Sequence, residues 1–494
     1  MAEAGEDRYE GEWSGDTRQG FGKCTFANGD VFEGHWMSDV REGDGKIAYA
    51  GGDAYEGEWH SDMRWGKGAQ NYADGETYTG DWLKDVRHGD GKASVLGAKY
   101  EGEAAEYSGE WRDDVLSGQG TITYSTESVY TGAFLDGNRH GAGTYRNAAG
   151  LVYEGDWAEN FRHGQGVQTW PNEDKYDGAW EDDQMCGQGT MRYANGDVYE
   201  GSWAAGGDYG QRSGTGTCTY ANGDVYEGEW EADKRSGIGT LRYASGDVYE
   251  GEFSDDERDG EGICTYENGD VYTGVWSRGV RSGEGECKYA DYDPACGMRS
   301  YYRGSWKDDT RSGIGTMLAA NGDRYDGVWV CGKRQGRGVQ KFCSLGERYV
   351  GCFFKDERHG YGTHYYSSGI KYFGNWKQGN RHGKGTCEFP EGVYSGAWVD
   401  DRKEGFGTFE FSNGDTYEGE WLKDWRHGRG KCSYHTGEVY DGEWVDDMRK
   451  GEGDETIPRN LDEEDAKMAT TGSLSGTLRV FPEPARPRVP DASP

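Results

Sequence analysis

The chain has 494 residues, of which 33% are apolar, 14% aromatic and 86 are glycine, with a formal charge of -36. So acidic a chain is a poor bulk electrostatic partner for DNA, RNA or a bare anionic membrane, and suits basic protein partners. Nineteen Trp and 35 Tyr do not fit a disordered chain, and so few aliphatic residues do not fit several ordinary globular cores.

In chain order, residues 1–8 are a short acidic segment without the apolar stretch of a signal peptide. No run of about 18 apolar residues follows anywhere, so no transmembrane helix is expected. The first element is Tyr9-Glu10-Gly11-Glu12-Trp13, whose aromatic and Gly positions alternate with carboxylates. A period of two predicts a strand with rings on one face and acids on the other. Asp16 to Gly20 reads as a turn, and Gly22, Cys24 and Phe26 alternate with Lys23 and Thr25 in a second strand. Asn28-Gly29 carries the signal of a type I′ hairpin turn, whose two central residues take positive φ.

At Phe32 the pattern begins again, 23 residues after Tyr9, and the aromatic-x-Gly-x-aromatic start recurs nineteen times, last at Tyr440. A fixed period of this length means a repeat array. The expected fold is all-β: an elongated antiparallel meander of about 38 strands in stacked hairpins. At 9–10 Å per hairpin the array would reach about 180 Å. Tyr9 and Trp13, Tyr55 and Trp59, Tyr226 and Trp230, and Tyr417 and Trp421 typify the structural rings, with Phe134, Phe253 and Phe353 replacing Trp in three copies. The Gly between two rings leaves a slot for a ring to lie across.

Three steps exceed the 23-residue period by several residues, and two others, Tyr325 to Tyr349 and Tyr372 to Tyr394, depart from it by one. Tyr100-Glu101-Gly102, between Tyr78 and Tyr107, resembles an aborted repeat. Residues Ala204 to Gln211 enlarge the turn that carries Asp and Arg. Residues Ala290 to Ser300 enlarge the Asn-Gly turn. Such breaks, at 99–106, 204–211 and 290–301, and the tail are where specific recognition is expected. After Gly453 the period stops. Residues 454–494 hold six of the nine prolines, with a short helical turn possible at Leu461 to Lys467 and an extended Pro/Arg segment from Phe481 to Pro490.

These residues, Y-E-G-E-W at the start, R-x-G-x-G at the turn and Y-x-N-G-D at the end, resemble the MORN repeat (membrane occupation and recognition nexus) over residues 9–453. The resemblance implies elongated sheets of stacked hairpins that often self-associate. MORN arrays occur in junctophilins, plant phosphatidylinositol phosphate kinases, a lysine methyltransferase, alsin, radial spoke heads and protist cytoskeletal scaffolds. The array here fills the chain, which looks most like the repeat-only cytoskeletal members.

One slot, nine residues after each opening aromatic, is cationic. It holds Arg18, Arg41, Arg64, Arg87, Arg139, Arg162, Arg235, Arg258, Arg281, Arg311, Arg334, Arg358, Arg381, Arg426 and Arg449, with Arg212 aligned across the enlarged turn and Lys403 as a substitute; Leu116 and Met185 break the row. In the functional reading this row binds phosphoinositide head groups or an acidic protein tail. In the structural reading each Arg pairs with acids such as Asp16, two residues earlier, or Glu10 and Glu12 of nearby strands. The excess of 90 acidic over 54 basic residues favours the second.

Six of ten histidines follow that Arg as Arg-His-Gly and read as turn residues copied by duplication. Gly379 to Thr386 echoes a phosphate loop, but Gly follows the Lys where Ser or Thr is required. Eleven cysteines contain no C-x-x-C, and no zinc motif occurs. Six of them share one slot, read as small apolar packers of a cytosolic protein. No cofactor or metal is expected. The function expected is a non-enzymatic scaffold or protein-interaction rod in a cytoskeletal, ciliary or flagellar assembly. Phosphoinositide recognition and a regulatory arm for a signalling enzyme are the alternatives. A homodimer through the last repeats, from Tyr394 on, is also expected, because open sheet ends need a partner.

Overall fold

The computed structural model describes residues 6–95, 105–207 and 210–456. The aborted repeat at Tyr100, the helical turn at Leu461 and the Pro/Arg segment lie outside them. Among the described residues there are thirty-eight β-strands and no helix. They fall into two compact units, one ending at Ser367 and the other beginning at Ser368. Within each unit every strand pairs antiparallel with its chain neighbours, so both are meanders.

The first repeat shows the construction. Strand β1 (Arg8–Ser14) pairs with β2 (Thr17–Thr25), which pairs with β3 (Val31–Met37), the start of the next repeat. Gly11 faces Gly22, and Gly22 faces Gly34. This pairing of glycines recurs down each unit and is sterically required. A Cβ on Gly22 would stand 2.2 Å from the Tyr9 hydroxyl, and one on Gly11 would stand 2.4 Å from the Gly22 Cα. The slot predicted between the rings is thus filled by the tyrosine of the same repeat lying flat over its own glycine pair.

The two hairpin ends are the reverse of the expectation. At Asn28-Gly29 the loop is wider than a type I′ turn. Phe26 N–H donates to Asp30 O, Gly29 N–H donates to Phe26 O, and only Gly29 has positive φ, 92°. The Asn28 side chain closes this loop by accepting from the Asp30 N–H and donating to its carboxylate. The tight two-residue turn is at the other end, where Ser38 and Asp39 have φ of 51° and 68°. The turn read as Asp16 to Gly20 is therefore only Gly15-Asp16, and β2 begins at Thr17. A register shift opposite Glu12, between the Gly11–Gly22 and Trp13–Arg18 pairs, absorbs the extra residues as a bulge.

The insertions follow the same logic. Ala204 still faces Gln211, so the first is a loop at the tight end. The second does not form a loop: the strands Val280–Asp293 and Met298–Lys307 run on, Tyr292 facing Arg299, to a turn closed by Gly297 N–H on Asp293 O. Residues 290–300 thus lengthen a hairpin, because their polar–apolar alternation continues the strand period.

Candidate interaction surfaces

The ring face is the core. Tyr55 packs edge-on against Trp59 of its own repeat at 5.3 Å and against Trp82 of the next at 5.4 Å. Tyr226 meets Trp230 at 5.1 Å and Phe253 at 5.0 Å, and Tyr417 meets Trp421 and Trp444 likewise. T-shaped contacts of this kind set the negative face of one ring against the positive edge of another. Each tyrosine hydroxyl donates to the carbonyl three residues on, as Tyr9 does to Glu12 O at 2.9 Å and Tyr55 to Glu58 O at 3.0 Å. Burial raises the Tyr9, Tyr55, Tyr226 and Tyr199 phenols above their ordinary pKa, Tyr199 to about 12. Trp59, Trp230 and Trp421 donate their indole N–H to a glycine carbonyl of the preceding repeat at 3.1 Å. Trp13 differs: it is 55% exposed, against 3% for Trp36.

The cationic slot joins one repeat to the next. The Arg18 backbone N–H and Nε donate to Asp39 Oδ1 at 2.7 and 3.2 Å, and Nη2 donates to Asp39 O at 2.9 Å. Its guanidinium lies 4.0 Å over the Trp36 ring. Asp39 N–H returns a bond to Arg18 O. The pairing predicted within a repeat, with Asp16, is therefore made one repeat later, because the tight turn of the next hairpin lies beside the Arg while its own Asp faces away. Arg41, Arg64, Arg87, Arg162, Arg235, Arg281, Arg334, Arg381 and Arg426 each hold an Asp of the following repeat in the same way. Arg139 uses Asn160, Arg258 and Arg311 use a glycine carbonyl, Arg358 meets His364, and Arg449 holds Glu455 and Tyr434. Where the next ring is an indole, the guanidinium stands 4.0–4.5 Å from it, as at Arg41 and Arg162. Most of these side chains are three-quarters or more buried, 14% exposed at Arg381 and 24% at Arg334. The geometry is that of a clamp, with the donors turned to the neighbouring repeat.

Lys403 fills the slot differently. Its Nζ stands 4.3 Å over Trp421, with Phe409, Tyr394 and Phe389 at 5.2–5.8 Å. Asp424 accepts only its backbone N–H. Burial pushes the ammonium below the ordinary lysine pKa, with Asp424 opposing.

A second clamp runs along the wide hairpin ends. Asp30, the acid of Asn-Gly-Asp, accepts the Ala50 N–H of the next repeat at 2.8 Å; Asp53 does the same for Ala73 and Asp174 for Ala194. The recurring Asp that ends the wide loop, as in Asn28-Gly29-Asp30, therefore has a physical cause that its position in the sequence did not disclose.

Three of the turn histidines, His88, His382 and His427, stand 3.6 Å from an Asp of the neighbouring tight turn. Gly379 to Thr386 lies across a tight turn and the strand Asn380–Phe389, so its glycines do not cradle a phosphate at a helix. The shared cysteine slot is buried at Cys24, Cys218, Cys264, Cys287, Cys387 and Cys432. Among the described residues no group of three His, Cys, Asp or Glu is placed to hold a metal ion.

On the opposite face the carboxylates divide into two kinds. Those three residues after the opening aromatic cap the next strand: Glu58 accepts the Lys67 N–H, Asp81 the Asp90 N–H, Asp156 the Gln165 N–H. Those one residue after it form a row across the strands. In the first repeats that row alternates charge, Lys23 facing Glu33, and Lys46 facing both Glu33 and Glu56. Farther on it alternates acid with threonine: Asp177, Thr190, Glu200, Thr217, Glu227, Thr240.

Comparison with known proteins agrees with this construction. The family profile described as MORN repeat matches nineteen consecutive segments, from 9–31 and 32–54 to 417–439 and 440–460. A search of curated proteins returned no match. Among solved structures, the chain is similar to the TCP domain of Drosophila melanogaster SAS-4 (dCPAP) in complex with a proline-rich motif of Ana2, at 14% identity over 32% of this chain and 84% of that one, TM-score 0.22. It is similar to the TCP10 domain of Danio rerio CPAP in complex with a STIL peptide, at 12% identity over 60% and 95%, TM-score 0.12. A streptogramin B lyase matches at 11% identity over 59% and 87%, TM-score 0.11. Scores this low carry no argument about function. With 420 of its 494 residues in nineteen matched repeats, the chain belongs to the MORN-repeat family.

Proposed function

We propose that this chain is a non-enzymatic scaffold that holds protein partners in a cytoskeletal, ciliary or flagellar assembly. The observation that carries the reading is the double clamp. Within each unit most repeats bind the next through an Arg–Asp–ring contact at one edge, as at Arg18–Asp39–Trp36, and many through an Asp–amide bond at the other, as at Asp30–Ala50. Within a unit, repeats locked in this way resist bending and present their outer side chains at a pitch of about 9.5 Å, two strand spacings. That property suits a spacer. The fold and family are typical of non-enzymatic scaffolds.

Tagged full-length protein is expected to stay with the detergent-insoluble cytoskeleton, and proximity labelling to recover structural proteins of one assembly. An even cytosolic distribution with complete extraction would refute the cytoskeletal part. The lipid reading draws little support from the Arg row, whose donors face the neighbouring repeat. It is tested by flotation with phosphoinositide vesicles at modest salt, where no binding is expected.

A further inference from the structure

We propose that the outer face of the strands between Lys175 and Arg242 is a docking groove for an extended, basic segment of a partner protein, with cationic side chains at every third residue. This rests on the scaffold reading and names the chemistry of one partner. An open trough of about 830 Å³ runs across these strands, at right angles to them. One wall is the alternating row of Asp177, Glu200 and Glu227 with Thr190, Thr217 and Thr240.

Three features select the occupant. The first is availability. Unlike Glu58, Asp81 or Asp156, which accept backbone N–H groups, these three carboxylates have no ion pair or hydrogen bond among the described residues, and neither do the three threonine hydroxyls. The second is charge. In the first repeats lysines interleave with the acids of this row and neutralise it. Here threonine stands in the lysine position, so the row itself carries three acids and no cation; Lys175, Arg192 and Arg242 stand on the same face one row away and, among the described residues, form no ion pair with it, which leaves the three carboxylates open to a cationic ligand. The third is length. Successive carboxylates are one repeat apart, two strand spacings or about 9.4–9.8 Å. Three residues of a polyproline II chain rise about 9.3 Å and make one full turn, so every third side chain points the same way. A chain lying along the trough therefore brings every third side chain opposite a carboxylate without stretching, and its backbone amides pass the threonine hydroxyls once per repeat.

The test uses full-length protein and two synthetic fluorescent peptides of identical composition. One has Lys at positions 1, 4, 7 and 10 between Pro and Ser residues, and the other has its four Lys adjacent. The spaced peptide is expected to bind more tightly, with an affinity that falls as salt rises. Glu200→Gln and Glu227→Gln are each expected to weaken it about two- to fivefold, the range of an exposed ion pair. Glu10→Gln, outside the trough, is expected to leave it unchanged. Equal binding of both peptides would mean diffuse attraction to an acidic surface and would overturn the proposal, as would an unchanged affinity in the Glu200→Gln/Glu227→Gln double variant. Circular dichroism of the variants excludes misfolding as the cause of any loss. The scaffold reading is judged separately, by cytoskeletal retention of the wild type. Retention without peptide binding would sink the groove alone, and loss of retention with intact peptide binding would sink the scaffold alone.

Discussion

Replacing Arg64 by Met tests whether the clamp, rather than the rings alone, couples one repeat to the next. Arg64 lies 4.0 Å over Trp82, donates to Asp85 Oδ1 and O, and gives Nη1 to Gln70 Oε1 at 3.0 Å. Gln70 is 1% exposed, so its oxygen has little water to replace the lost donor. Loss of the ring contact costs about 0.5–2 kcal/mol. The unsatisfied Gln70 oxygen adds about 1–3 kcal/mol. The ion pair with half-exposed Asp85 adds at most about 1 kcal/mol after screening. The three terms belong to one side chain and do not simply add, so a total of about 2–4 kcal/mol, in the middle of their combined range, is expected, felt locally because an array opens segment by segment. Native-state hydrogen exchange reads it at the Asp85 amide, which bonds Arg64 O, as an acceleration of roughly 30- to 1,000-fold at 1.4 kcal/mol per decade. Where the row naturally lacks Arg, the position six residues on is apolar too: Leu116 with Ile122 and Met185 with Met191, all buried. Arg64→Met/Gln70→Met should therefore recover about half of the loss. Exchange at Asp85 unaltered in Arg64→Met, or no recovery in the double variant, would refute the coupling through Gln70.

Gly68→Ala should lower the thermal midpoint markedly, because its Cβ would stand 2.3 Å from the Tyr55 hydroxyl; overpacking of this kind costs about 1–3 kcal/mol. Gly279→Asn, in open space at φ 79°, should change it little, and equal effects would contradict the ring-on-glycine packing. At Lys403 the folded-state pKa is lowered, so between it and the ordinary lysine value the unfolded chain binds more protons and stability rises with pH. Lys403→Met should be relatively more stable at neutral pH and lose that rise. A wild-type-minus-variant difference that is flat with pH would disprove the assignment. We further propose that the last repeats mediate self-association: deletion of 394–453 should leave a monomer by light scattering, and an unchanged mass would reject it.

The sequence by itself determined the periodic content. Alternation of Tyr9, Gly11 and Trp13 with acids assigned strands and faces, and the 23-residue period determined the meander and its number of hairpins, because strand geometry repeats every two residues whatever lies beside it. Which hairpin end is tight was misread. Asn28-Gly29 advertises positive φ, whereas Ser38-Asp39 adopts it without glycine, its backbone held by Arg18 of the preceding repeat. The partner of each Arg was misplaced for the same reason. Asp16 is near Arg18 along the chain, but Asp39 is near it across the sheet, and hydrogen bonding between strands is decided by lateral neighbours. The two kinds of carboxylate, Glu58 capping a neighbouring strand and Glu200 facing the trough, are identical in the one-dimensional pattern. Only the bulge opposite the second acid, which turns an amide toward Glu58 and none toward Glu200, separates the acids that hold the array together from those available to a partner.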